Sequence, residues 1–165
     1  MSTIPIKIDG IGTRKDGSGG ESANLANPVQ IRRFYASEAI TKGDLVAFNF
    51  ASTEPTNGYG NHILLCDTDD ALNAMGIGVA IETIASGDLG RVQVQGICTF
   101  AKVDVSAVSD GGLLGSGADA GLLDLYDTSA AAGSGGDMLP VAVCVKQAAD
   151  DTAASTVYLL NPANL

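Results

Sequence analysis

Two stretches of the chain carry the same short design, Ile40-Thr41-Lys42-Gly43-Asp44-Leu45-Val46-Ala47-Phe48 and Ile84-Ala85-Ser86-Gly87-Asp88-Leu89-Gly90-Arg91-Val92. In each, Gly-Asp supplies a tight turn, and apolar and polar residues alternate after it, the pattern of a half-buried antiparallel strand. Gly43 and Gly87 are expected to take backbone angles that cost other residues energy, with Asp44 and Asp88 bonding to nearby amides. A β-corner used twice organises a scaffold but carries no reactive group, so function is expected in surface recognition rather than in chemistry.

The remaining composition suits such a scaffold. With 165 residues and 45% hydrophobic content the chain has enough apolar mass for one core. Aromatic residues make up only 5%, Trp is absent and glycines number 21, so the core must be built from Val, Ile, Leu and Ala between many turns. Strands are expected at Val29 to Ala36, Leu45 to Phe50, Ile63 to Cys66, Ile77 to Glu82, Leu89 to Gln95, Ile97 to Val105, Met138 to Lys146 and Thr156 to Leu160. In the next-to-last of these, Val141, Val143 and Val145 share one face. Pro55 to Asn61 reads as a loop, and Thr68 as the cap of a single helical turn that Gly76 ends. From Ser106 to Asp137 the Gly/Ala/Ser/Asp-rich sequence implies short strands joined by long loops. The fold class that follows is all-β, a small antiparallel β-barrel or sandwich-like domain with an extended N-terminal arm.

That arm is residues 1–28, where Asp9-Gly10, Asp16 to Gly20 and Asn27-Pro28 leave too few apolar residues for a core; the β-rich body is 29–165. Charge divides in nearly the same way. Up to Tyr35 there are five basic residues (Lys7, Arg14, Lys15, Arg32, Arg33) against three acidic ones, while the remainder carries four basic against sixteen acidic, for a total of −10. An acidic body disfavours nucleic acid and anionic membrane as partners, whereas the amino-terminal segment suits an acidic protein surface or is simply a polar tail. No apolar leader or membrane-length run occurs, so a soluble protein is expected.

Catalytic equipment is sparse. His62 is the single histidine, and beside a Gly/Asn loop it reads as structural rather than as the base of a triad. Asp67, Asp69 and Asp70 lack the Gly and distal Glu of an EF-hand loop, so no metal is assigned. Gly115-Ser116-Gly117 and Gly133-Ser134-Gly135-Gly136 lack the Lys-Ser/Thr and following helix of a phosphate-binding loop and read as linkers, so no cofactor is assigned either. Cys66, Cys98 and Cys144 lie singly in apolar segments and read as buried reduced thiols.

The run from Gly76 to Gly96, GIGVAIETIASGDLGRVQVQG, following Ala39 to Val46, resembles the small capsid decoration, or cement, proteins of tailed bacteriophages, with their "Gly-Ile-Ala" strand, "Gly-Asp" corner and "Val-x-Val-x-Gly" strand. The resemblance implies a β-rich module on the capsid exterior of a virion, made in the host cytoplasm, without enzymatic activity. It also implies a homotrimer that bridges major capsid protein subunits. On this reading Lys7, Arg14, Lys15, Arg32 and Arg33 contact the capsid, and Gly43, Asp44, Gly87 and Asp88 are structural turns. A head-fibre or carbohydrate/receptor-binding β module on the virion surface is the alternative, and a small hydrolase using His62 ranks last.

Overall fold

The structure, a computed structural model, describes residues 29–50, 61–67, 75–104, 106, 108–117, 119–126, 140–150 and 153–160. The expected arm, the expected 55–61 loop apart from Asn61, the expected helical turn before Met75 and the second Gly/Ser run lie outside these residues. Among the described residues every regular element is a strand: β1 (Gln30–Ala36), β2 (Leu45–Phe48), β3 (His62–Leu65), β4 (Gly76–Ala80), β5 (Leu89–Ala101), β6 (Leu113–Ser116), β7 (Leu123–Leu125), β8 (Ala142–Lys146) and β9 (Ser155–Leu159).

The nine strands run in the order β1-β3-β2-β4-β5-β9-β8-β6-β7, and β1 also pairs with β5, which closes β1-β3-β2-β4-β5 into a five-stranded barrel. Its β1–β3 contact is parallel and the other four are antiparallel. The second half bends back on itself as well. The segment after β5 meets β7 through a parallel bridge, Val103 to Leu123, in which Asp104 N donates to Leu123 O and Leu123 N to Lys102 O. Two rings therefore share β5. Closure removes most of the unpaired strand edge that short strands would otherwise expose.

Residues 89–101 form one strand of 13 residues where the residue pattern indicates two. The first part pairs with β1 and β4, and from Gly96, at φ +93°, the strand continues along β9. A break in pattern at Gly96 is thus the point where a continuous strand passes from one ring to the other, not a chain reversal.

Each ring has its own core. Phe34, Ala36, Ile40, Val46, Ile63, Ile77, Ala80, Ile84, Val92 and Val94 fill the first barrel. The second cluster joins Leu45, Ala47 and Val79 from the outer faces of β2 and β4 to Cys98, Val103, Leu114, Leu123, Ala142, Cys144, Val157 and Leu159. Because β2 has a core on each side, Leu45, Val46 and Ala47 are all buried, and the strand is not the half-buried one that alternation implies. In β4, Val46 lies opposite Gly78 and Ala47 opposite Gly76, so Ile77 is an extra, bulged residue. The bulge resets the side-chain alternation and sends Ile77 into the first core and Val79 into the second.

Two further expectations are corrected. Gly115-Ser116 is not a linker but part of β6, opposite Asp124 and Leu123, with Ser116 buried. Val141, Val143 and Val145 do not share a face: Val141 is buried, Val145 is 48% exposed, and the inward residues of β8 are Ala142 and Cys144. A register shift between Cys144 and Lys146 breaks the alternation there.

Candidate interaction surface

The two Gly-Asp corners meet. Ile40 and Ile84 form an antiparallel bridge in which each amide donates to the other's carbonyl, at 3.0 and 2.9 Å, so the repeated motifs clasp one another at the first barrel. In each turn the fourth residue's N–H returns to the first residue's carbonyl, Asp44 to Thr41 at 3.2 Å and Asp88 to Ala85 at 3.0 Å. Gly43 and Gly87 have φ of +95° and +85°, and no described non-glycine residue has positive φ, the combination of a type II turn with glycine at its third position.

The corners differ in their surroundings. Asp44 is buried: its Oδ2 accepts from Thr41 N at 2.7 Å and Thr41 Oγ1 at 2.8 Å, and its Oδ1 accepts from Lys102 Nζ at 2.5 Å. That lysine follows β5, so the ion pair ties the first corner to the strand both rings share. Gly43 itself is held between Ala80 O and Lys102 N. Gly87 and Asp88 are exposed, and the Asp88 carbonyl accepts from Ala36 N at 2.9 Å. Lys102 was not singled out from the sequence, because a lysine 58 residues from its carboxylate leaves no local spacing signal.

Of the basic residues assigned to capsid contact, Lys7, Arg14 and Lys15 lie outside the described residues. Arg32 and Arg33 stand next to each other on β1, both exposed, opposite Val92 and Arg91 of β5. Arg91 is already engaged: its Nη2 lies 2.7 Å from Glu82 Oε2, and its Nε donates to both Glu82 oxygens at 3.2 Å. The side-chain bond from Arg91 holds the Glu82 carboxyl below its ordinary value, with the Arg33 charge a smaller contribution in the same direction. Arg33 thus adds positive charge beside a pair that is already neutral.

His62 stacks on Tyr35, ring centroids 5.6 Å apart, and its buried Nε2 has no hydrogen-bond partner. No Ser, Cys or carboxylate is bonded to it in the manner of a triad among the described residues, and these hold no group of three metal-ligating side chains. The three thiols are buried in the second core, and burial pushes the Cys98 thiol up to about 11.

A second surface spans the outer face of the second ring. Register places Ile97 beside Tyr158, Tyr158 beside Val143 and Val143 beside Leu113, while Tyr126 N donates to Leu113 O. These side chains form an uncharged row across four consecutive strands and the residue that follows β7, with Ile97 39% and Leu113 45% exposed. The apolar residues are visible in the sequence; their alignment depends on registers between strands far apart in the chain.

No protein-family model matches the chain, and no curated protein matches it. Among solved structures it is similar to the N base of head fiber gp8.5 of bacteriophage phi29, with a TM-score of 0.50 and 14% identity over 81% of this chain and 95% of that one. The all-β fold of this chain, which contains a closed five-stranded barrel, is therefore similar to that of the N base of a phage head fibre.

Proposed function

We propose that the chain is a structural protein of a bacteriophage virion, a decoration protein that sits on the outside of the head and bridges major capsid subunits. The observation that supports the virion part of this reading is a fold similar to almost the whole of a head-fibre base. The Gly76 to Gly96 resemblance to cement proteins points the same way, and the exposed basic pair on β1 fits a contact with an acidic protein surface. In the proposed mechanism a homotrimer holds several shell subunits at once, so that modest individual contacts combine through effective concentration. The role calls for no catalysis and no cofactor.

A second reading is favoured by the neighbour itself. As a head-fibre base, the chain would seat a projection on the head without bridging shell subunits.

Cosedimentation with heads lacking the protein, followed by heating of the decorated heads, separates these readings. A decoration protein that bridges subunits raises the temperature at which heads release DNA, whereas a fibre base that only seats a projection leaves that temperature unchanged. Absence of sedimentation with heads overturns both. Light scattering of the free protein is expected to give three times the chain mass, and a chain lacking residues 1–28 is expected to remain folded and bind heads more weakly. Equal binding by that truncation would place the contacts on the body.

A further inference from the structure

We propose that the outer edge of β1, from Gln30 to Arg33, accepts an extended acidic segment of a shell subunit as an added strand; this rests on the head-bound role proposed above. β1 pairs with β5 from Gln30 to Tyr35 but with β3 only at Tyr35 and Ala36. The hydrogen bonds give the direction of each amide: Tyr35 N donates to Asn61 O on the β3 side, and Ala36 N to Asp88 O on the β5 side. Backbone groups alternate along a strand, so those of Phe34 and Arg32 face β5 and those of Arg33 and Ile31 face outward. Among the described residues no strand lies along that outward edge.

The side chains agree with an unfilled position. Gln30, Ile31, Arg32 and Arg33 are all exposed, and Val29 and Ile31 keep 50% and 51% of their surface in contact with solvent. An added strand would gain main-chain hydrogen bonds from the edge and specificity from the side chains beside it. Charge selects the occupant. Two adjacent arginines disfavour pairing with the same edge of a second copy, where cations would face cations, and favour a segment bearing carboxylates.

The register supplies a discriminating variant. Ile31→Pro removes an N–H that points away from β5, which an edge strand tolerates, yet it blocks a strand from docking there. Cosedimentation of full-length protein with undecorated heads is expected to show Ile31→Pro binding about tenfold or more weakly while its thermal midpoint stays within about 2 °C of the parent's. The double variant Arg32→Glu/Arg33→Glu is expected to lose most affinity at about 50 mM salt and less at about 500 mM, where screening is stronger. Undiminished head binding by Ile31→Pro overturns the inference while leaving the decoration role standing. A large loss of stability in Ile31→Pro also overturns it, because the amide would then be bonded within the chain. If instead Ile31→Pro dissociates a homo-oligomer in light scattering, the edge belongs to a second copy and the inference fails. If the parent itself does not bind heads, the decoration role and this inference fall together.

Discussion

Gly43 and Gly87 occupy the same place in the same turn, yet replacing them should have unequal consequences. Both have positive φ, which costs an alanine about 1–2 kcal/mol through its Cβ. A Cβ at Gly87 meets nothing within 4 Å, whereas one at Gly43 would lie 2.5 Å from the Phe100 carbonyl oxygen and 3.1 Å from the Lys102 side chain. Gly87→Ala is therefore expected to cost only the backbone strain, and Gly43→Ala about 2–4 kcal/mol, because strand β5 must also move. Chemical denaturation of the two variants checks this; equal losses would mean that the Phe100 contact relaxes without cost. The Asp44–Lys102 pair belongs to the same cluster, so Lys102→Met would leave the buried Asp44 oxygen without its cation and loosen the corner.

At the scale of elements, the clasp between the corners explains why a short motif occurs twice. Neither Ile40 nor Ile84 belongs to a long strand, but their mutual backbone bonds align two turns, and their side chains, 0% and 3% exposed, enter the first core. Truncating either to alanine is expected to destabilise by about 2–4 kcal/mol. The two residues share one bridge and one core, so the double variant should lose less than the sum of the single losses, a coupling of about 0.5–2 kcal/mol that a double-mutant cycle in denaturant would measure. Strict additivity would show that the two corners fold as independent turns.

For the whole molecule, the decisive feature is that β5 belongs to both rings and that the outer faces of β2 and β4 line the second core. Neither ring keeps a complete wall without the other. Calorimetry is expected to show a single transition for the body, with calorimetric and van't Hoff enthalpies equal. Val92→Ala in the first core and Val157→Ala in the second should lower that same transition, by about 2–4 °C for each kcal/mol lost. Two resolved transitions, each sensitive to one of the variants, would show that the rings are separate units. A rigid body of this kind also leaves edges such as that of β1 in a fixed position for a partner.

What the residues determine by themselves is local. Gly-Asp favours a turn and forms one at both 43–44 and 87–88, and apolar alternation marks strands, so the two corners, most strand positions, the all-β class and the exposed basic pair on β1 are legible in the sequence. Burial on both faces of β2 is not legible, because a short apolar run reads the same whether one core or two lie against it. The bulge at Ile77, the passage of β5 through Gly96 and the pairing of Lys102 with Asp44 depend on which distant strand is the neighbour. The edge of β1 was hidden for the same reason: exposed side chains can be read from residue type, but that the edge lies unpaired among the described residues follows only from β5 taking one side of the strand and from a β3 pairing confined to Tyr35 and Ala36. Local backbone preference and side-chain polarity travel with the residue, whereas hydrogen-bond partners and burial are supplied by the tertiary fold.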